Sequence, residues 1–119
     1  MLNREHIFNY YENDKFHTNI LFKVLNKELK SLSLEFILIG NKNKILRKNF
    51  QIKKLNDLVT IKLKDFSDEI LEIGEYGILI IFTKRCFTNY LFKIHPKNYF
   101  IKTSYTSLKK TSIKEISTA

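Results

Sequence analysis

Residues Leu71 to Phe82 read LEIGEYGILIIF and hold two of the chain's three glycines, Gly74 and Gly77, on either side of Tyr76. Beyond the second glycine, Ile78, Ile80 and Phe82 take one parity and Leu79 and Ile81 the other, so a strand here is apolar on both faces. A strand wetted on one side is not built that way, and both faces call for cover. One cover is an opposing sheet; the other is the N-terminal segment, a neighbouring domain or a second subunit. Burial of Leu79 and Ile81 in an interface makes the chain a homo-oligomer or a structural subunit of a larger assembly, and on that reading Leu79→Asp leaves a soluble monomer. Ahead of the run, Leu71, Gly74 and Tyr76 have the L-x-x-G-x-Y spacing of a tyrosine corner. There a tyrosine just past a crossover between sheets turns its hydroxyl back onto the crossover's backbone. Gly74 lets the chain turn without steric cost, and Gly77 leaves room beside the ring.

Working outward, alternation is the commonest pattern. In SLSLEFILI, Leu32, Leu34, Phe36 and Leu38 share one face with Ser33 and Glu35 opposite, and the strand turns apolar on both sides at Ile37 and Ile39. GNKNK follows as a tight hairpin turn, its glycine and asparagines suited to positive φ. ILRKNFQIKKL and LVTIKLKDF alternate again, the second setting Val59, Ile61 and Leu63 against Thr60, Lys62 and Lys64; they read as an antiparallel pair joined at Asn56 and Asp57. YGILIIFT, NYLFKI and YFIKTSY complete the set, with Pro96 breaking the ladder before the last. Between His17 and Ser31, Ile20, Phe22 and Val24 fit a strand while Leu21, Leu25 and Leu29 fit a helix; the strand is preferred because the next one follows so closely. Asn3 to Asn13 accommodates a short helix with Ile7, Phe8 and Tyr11 on one side. Short strands at hairpin spacing mark a sandwich or barrel. The expected fold is all-β: an antiparallel Greek-key β-sandwich of six to eight strands over residues 18–105. It is preceded by an N-terminal segment, residues 1–17, in which a short helix covers a sheet, and followed by a flexible tail, residues 106–119, rich in Ser, Thr and Lys.

A chain of 119 residues that is 44% hydrophobic fits one core and one domain. No stretch approaches the roughly 18 consecutive apolar residues of a membrane helix, and the N-terminus lacks a basic start and apolar run, so a cytoplasmic location with no membrane span is expected. The lone Cys86 excludes an internal disulfide or a cysteine-based zinc cluster and reads as a small residue beside a strand. His6, His17 and His95 are far apart in sequence, and no H-E-x-x-H pair, nucleophile elbow, phosphate loop or dinucleotide fingerprint occurs. No catalytic residue, metal or cofactor is assigned, and the chain is not expected to be an enzyme. Asp65, Asp68, Glu69, Glu72 and Glu75 cluster, but without the D-x-D spacing of a calcium loop, and read as a solvated crossover.

The net charge of +9 invites a polyanion, since lysines and arginines gain affinity by releasing counterions. Only Arg4, Arg47 and Arg85 among the 21 basic residues are arginine, the residue that forks onto phosphates, and a bias toward Lys, Asn and Ile accounts for much of the charge. On the polyanion reading, nucleic acid meets Lys42, Lys44, Arg47, Lys48, Lys53 and Lys54 on the hairpin from Lys42 to Lys64. The aromatics interleave with lysine in YLFKIHPKNYFIKTSY, where alternation assigns Leu91 and Phe100 to the core. That leaves Tyr90, Tyr99 and Tyr105 exposed, as stacking surfaces for a glycan or for bases.

The succession ILFKVLNKELKSLSLEFILIGNKNKIL, VTIKLKDF, ILEIGEYGILIIF and YLFKI resembles the immunoglobulin-like or jelly-roll β-sandwich modules of bacterial polysaccharide systems. The nearest pattern is the carbohydrate-binding domain of O-antigen export ATPases. The resemblance covers residues 18 to 95 and rests on Leu71, Gly74, Tyr76 and the apolar alternation after them. It implies a glycan end bound on one sheet face; the chain departs from it in lacking tryptophan, the usual sugar platform, and in carrying no ATPase. The functional expectation is a non-catalytic recognition or accessory module for a glycan or protein partner. A basic nucleic-acid-binding domain and a structural subunit stand as alternatives.

Overall fold

The computed structural model describes residues 5–25, 32–53, 57–87, 90–93 and 99–107. They form eight strands and one short helix in two antiparallel sheets packed face to face. The larger sheet runs β1 (Glu5–Tyr11), β6 (Tyr76–Phe87), β3 (Leu32–Gly40), β4 (Ile45–Ile52), with β7 (Tyr90–Lys93) paired to the far end of β6. The smaller runs β5 (Val59–Lys62), β2 (Phe16–Val24), β8 (Tyr99–Ser107). The chain passes between sheets after β1, β2, β4, β5 and β7, which gives the all-β sandwich expected. A 3-10 turn (Leu63–Phe66) and α1 (Ser67–Ile73) fill the crossover from β5 to β6. No helix among the described residues is long and apolar enough to cross a membrane.

Burial follows the alternation. Leu32, Leu34, Phe36 and Leu38 of β3 are fully buried against Ile20, Phe22 and Val24 of β2, and Leu63, Ile70 and Ile73 close one end of the core. Each such side chain contributes about 1.5–3 kcal/mol on leaving water. The strand reading of residues 16–24 holds, as does the GNKNK turn, although Asn43 at φ 61°, and not Gly40, takes the positive φ there.

Four expectations change. The N-terminal helix is instead β1, whose side chains alternate in burial because it pairs along its whole length with β6. β4 and β5 are not a hairpin: β4 pairs with β3 in the larger sheet and β5 with β2 in the smaller. Alternation fixes which face of a strand is apolar but not which strand lies beside it. Leu79 and Ile81 are fully buried between the sheets, so they are core residues rather than an interface, and Leu79→Asp would place a charge in the core. The apolar surface left over is the other parity of β6, with Ile78 43% exposed.

The fourth change answers the puzzle of the glycines. Tyr76 is 53% exposed, and the corner is locked by a tyrosine 64 residues away: the buried Tyr10 hydroxyl donates to the Gly74 carbonyl at 2.8 Å. Tyr10, Gly77 and Gly40 are aligned across β1, β6 and β3 on the inner face, so the two glycines leave a bare strip of backbone toward which the ring can reach. A Cβ on Gly40 would fall 2.0 Å from the Ile73 carbonyl oxygen and 2.9 Å from the Tyr10 hydroxyl, and one on Gly77 2.0 Å from the Ile39 carbonyl oxygen. Gly74 itself adopts φ 131°, open to glycine alone without strain, and ends α1. The β3–β4 turn closes over this point, with Asn41 N–H donating to Tyr76 O at 3.0 Å, Lys42 N–H to Ile73 O at 2.9 Å and Lys42 Nζ to Leu71 O at 2.9 Å. Burial pushes the Tyr10 hydroxyl's pKa up to about 12, which keeps it a donor.

Tyr10→Phe is expected to cost about 1–2 kcal/mol in urea unfolding by orphaning the Gly74 carbonyl, whereas Tyr76→Phe should stay within about 0.5 kcal/mol of the parent. Gly40→Ala should reach or exceed the upper end of the about 1–3 kcal/mol typical of overpacking. The opposite order for the two tyrosines would return the corner to Tyr76.

Candidate functional site

The outer face of the smaller sheet is polar where that of the larger sheet is apolar. Even-numbered residues of β8 and odd-numbered residues of β2 point to it, and the register aligns His17 with Thr106, Asn19 with Ser104 and Lys62, and Leu21 with Lys102 and Thr60. His17, Asn19, Thr60, Lys62, Lys64, Ser104 and Thr106 line an open groove along this face. Asn19 Nδ2 donates to Thr106 Oγ1 at 2.8 Å, holding the amide across the strands. Past the groove, Phe100 is 42% exposed with Lys102 Nζ 6.0 Å from its ring centre.

One end of the groove is backed by a buried carboxylate. Glu12 is 2% exposed, and its Oε2 lies 2.5 Å from His17 Nδ1 while its Oε1 is buried without a hydrogen-bond partner. The β1–β2 turn holds this pair in place. Asn13 Oδ1 accepts from the Lys15 and Phe16 N–H groups, Thr18 Oγ1 bridges the N–H and carbonyl of Tyr11, and Glu12 N–H donates to Glu75 O at 2.7 Å. Burial raises the Glu12 pKa above its ordinary value, and the His17 hydrogen bond, the His17 charge, the Thr18 N–H and Lys64 pull it partway back. His17 spends Nδ1 on this carboxylate, which leaves Nε2 as its second polar atom.

The residues singled out in the sequence are scattered. Tyr99 is a core residue at 4% exposure, its hydroxyl accepting from Thr83 Oγ1 at 2.9 Å and bonded to His6 Nε2. Phe100, expected in the core, is the exposed neighbour: the strand's parity is one residue out of phase with that expectation, and such a slip exchanges every side chain between the faces. Tyr105 is 46% exposed, but its hydroxyl donates to Asn9 O at 2.7 Å and its ring meets Tyr11 edge-on, tying β8 to β1. Tyr90 lies on β7, and its side chain is outside the described set. The basic set is divided as well. Lys42 caps the end of α1, Arg47 lies 3.8 Å from Glu35 on the outer face of the larger sheet, and Lys48 points the opposite way to pair with Glu69 at 2.6 Å and lie over Phe66. Lys44 and Lys53 are exposed, and Lys54 lies outside the described residues, as do His95 and the tail beyond Ser107. Among the described residues no three His, Cys, Asp or Glu side chains gather as a metal site, and the acidic cluster is spread along the crossover.

Sequence reading passed over His17, Asn19, Ser104 and Thr106. Their shared parity is visible in FHTNILFK and IKTSYTS, but the pairing of β2 with β8, whose partners lie 75 to 91 residues apart, is not. Comparison of the chain with family models, curated proteins and solved structures finds no match.

Two titrations of opposite sign follow. The His6 pKa is lowered by burial, so the stability it contributes is present above its ordinary value of 6.5 and lost as pH falls through the depressed folded value. Relative to His6→Gln, the parent should lose melting temperature on acidification below that point. Glu12, raised by burial, contributes stability that is full below 4.5 and lost as pH rises through its folded value. Glu12→Gln should therefore melt at or above the parent at pH 7 and lose that advantage below 4.5. Parallel melting-temperature profiles for parent and variants across pH would contradict both assignments.

Proposed function

We propose that this chain is a non-catalytic recognition module that binds a glycan on the outer face of the smaller sheet, and that the glycan carries an acidic group. The observation that carries the reading is the groove of β5, β2 and β8, whose lining side chains are all polar and, apart from Lys64 in the turn after β5, are set side by side by strand register. Sugars present closely spaced hydroxyls, which suit the amide and hydroxyls of Asn19, Thr60, Ser104 and Thr106. Lys62 and Lys64 add point charges for a uronate or phosphate substituent. Phe100, beyond Lys102 on the same face, supplies an exposed aromatic surface outside the groove in a chain without tryptophan. The resemblance to modules of polysaccharide systems points to the same ligand class.

Nucleic acid is the competing polyanion. Against it stands the division of the basic residues, since Lys42 and Lys48 are engaged within the chain and Arg47 and Lys48 point to opposite faces. A stacking track of exposed aromatics is also not formed by Tyr99, which is buried.

The test is a binding screen of neutral and uronate- or phosphate-bearing oligosaccharides, with titration calorimetry on the hits. Asn19→Ala and Lys62→Ala should each weaken an acidic hit about tenfold, or about 1.4 kcal/mol, without lowering the melting temperature, while Lys53→Ala leaves affinity unchanged. Tight, steeply salt-dependent binding to single-stranded nucleic acid with no glycan hit would replace this reading with the polyanion one.

A further inference from the structure

We propose that the outer face of the larger sheet is where two copies of this chain meet, sheet on sheet. The face is built from rows of isoleucine. Ile78, Ile39 and Ile45 are aligned across β6, β3 and β4, and Ile7, Ile80 and Ile37 across β1, β6 and β3. Ile7 is 67% exposed, Ile45 57%, Ile78 43% and Ile39 37%. The rows adjoin one another, so this is a continuous apolar surface rather than scattered side chains. Surfaces of this kind on a folded chain mark an interaction site.

Charge selects the occupant. The chain as a whole carries +9, yet the charged residues among the described side chains of this face are Glu5, Glu35 and Arg47, the last two 3.8 Å apart. Over these described side chains the face carries two carboxylates and one guanidinium, so this part of it offers a second +9 chain little local repulsion. An anionic membrane or polyanion would instead be drawn to a lysine-bearing surface.

The register is also self-complementary. A two-fold axis between β6 and β3 and parallel to the strands lays β1 of one copy over β4 of the other. Ile7 then meets the aliphatic stem of Arg47 of the second copy, and that guanidinium reaches the row of Glu5. Facing sheets pack in this manner about 10 Å apart.

Area sets the strength. Four strands about 4.8 Å apart, over seven residues at about 3.4 Å each, present about 450 Å² per copy. Two copies bury about 900 Å², at the small end of protein interfaces where weak, transient association falls, so the dimer should be a weak one. The grooves of the smaller sheets would face outward on opposite sides of it. The proposal stands on the larger sheet alone and does not depend on the glycan reading.

Sedimentation velocity on the whole chain from about 1 to about 300 µM, at about 0.05 and about 0.5 M salt, tests it. The expected result is a monomer–dimer equilibrium that tightens at the higher salt, because screening relieves the repulsion between two +9 chains. Ile78→Lys and Ile39→Lys should each weaken it at least about tenfold with circular dichroism and melting temperature retained, while Thr60→Lys on the other sheet leaves it unchanged. If a central substitution unfolds the chain, Ile45→Lys at the exposed edge gives the same readout. A monomer at every concentration, a dimer indifferent to these isoleucine substitutions, or one that loosens with salt would overturn the proposal. So would a monomer that binds lipid vesicles through Ile78, which would assign the face to a membrane.

Discussion

The Tyr10 hydroxyl on the Gly74 carbonyl is the contact on which the rest of the structure depends. It joins the first strand to the crossover that brings the chain back into the larger sheet, at the place where the β3–β4 turn closes over the end of α1. At Ile73 and Gly74 the crossover is buried, so its backbone groups there need internal partners. Tyr10 supplies one to Gly74 and the Lys42 N–H one to Ile73, while Asn41 and the Lys42 ammonium add bonds at the exposed Tyr76 and Leu71. Gly40 and Gly77 make the approach possible by removing the side chains that would stand between β6, β3 and the helix end. All three glycines of the chain are thus spent on one junction.

A second tie crosses the sandwich at its other end, where His6, Tyr99 and Thr83 bring β1, β8 and β6 together through buried or half-buried polar groups. Tyr105 on Asn9 repeats the link between β8 and β1. The first of these contacts explains why Tyr99 of the last strand is absorbed by the fold. Tyr99, which reaches Thr83 and His6 from inside the core, is held there and is no longer available to stack on a ligand, whereas Tyr105 keeps an exposed ring.

The two outer faces have opposite character. Among the described side chains one carries isoleucines with few charges, the other hydroxyls, an amide and lysines beside His17 and the buried Glu12. Sheets of a sandwich bury their inner faces on each other, so the outer parity of each strand is free of the demands of the core. On β6 that freedom is used for Ile78, Ile80 and Phe82, and on β2 for His17 and Asn19. A sandwich with one greasy and one polar exterior is suited to associating by the first and recognising by the second.

By itself the sequence determined the all-β class, the inner face of β3 and β5, the GNKNK turn and the special status of Gly74 and Gly77, because these follow from period-two burial and from local backbone sterics. It also marked β6 as apolar on both faces, though which parity met the core was not legible: Leu79 and Ile78 are equally hydrophobic, and only the opposing sheet distinguishes them. The same holds for Tyr99 and Phe100. Tertiary structure alone decided that β4 and β5 part into different sheets, that Tyr10 rather than Tyr76 locks the corner, and that β2, β5 and β8 assemble one groove. Each depends on partners tens of residues apart, and strand pairing at that distance is chosen by the packing of the whole core rather than by any local pattern.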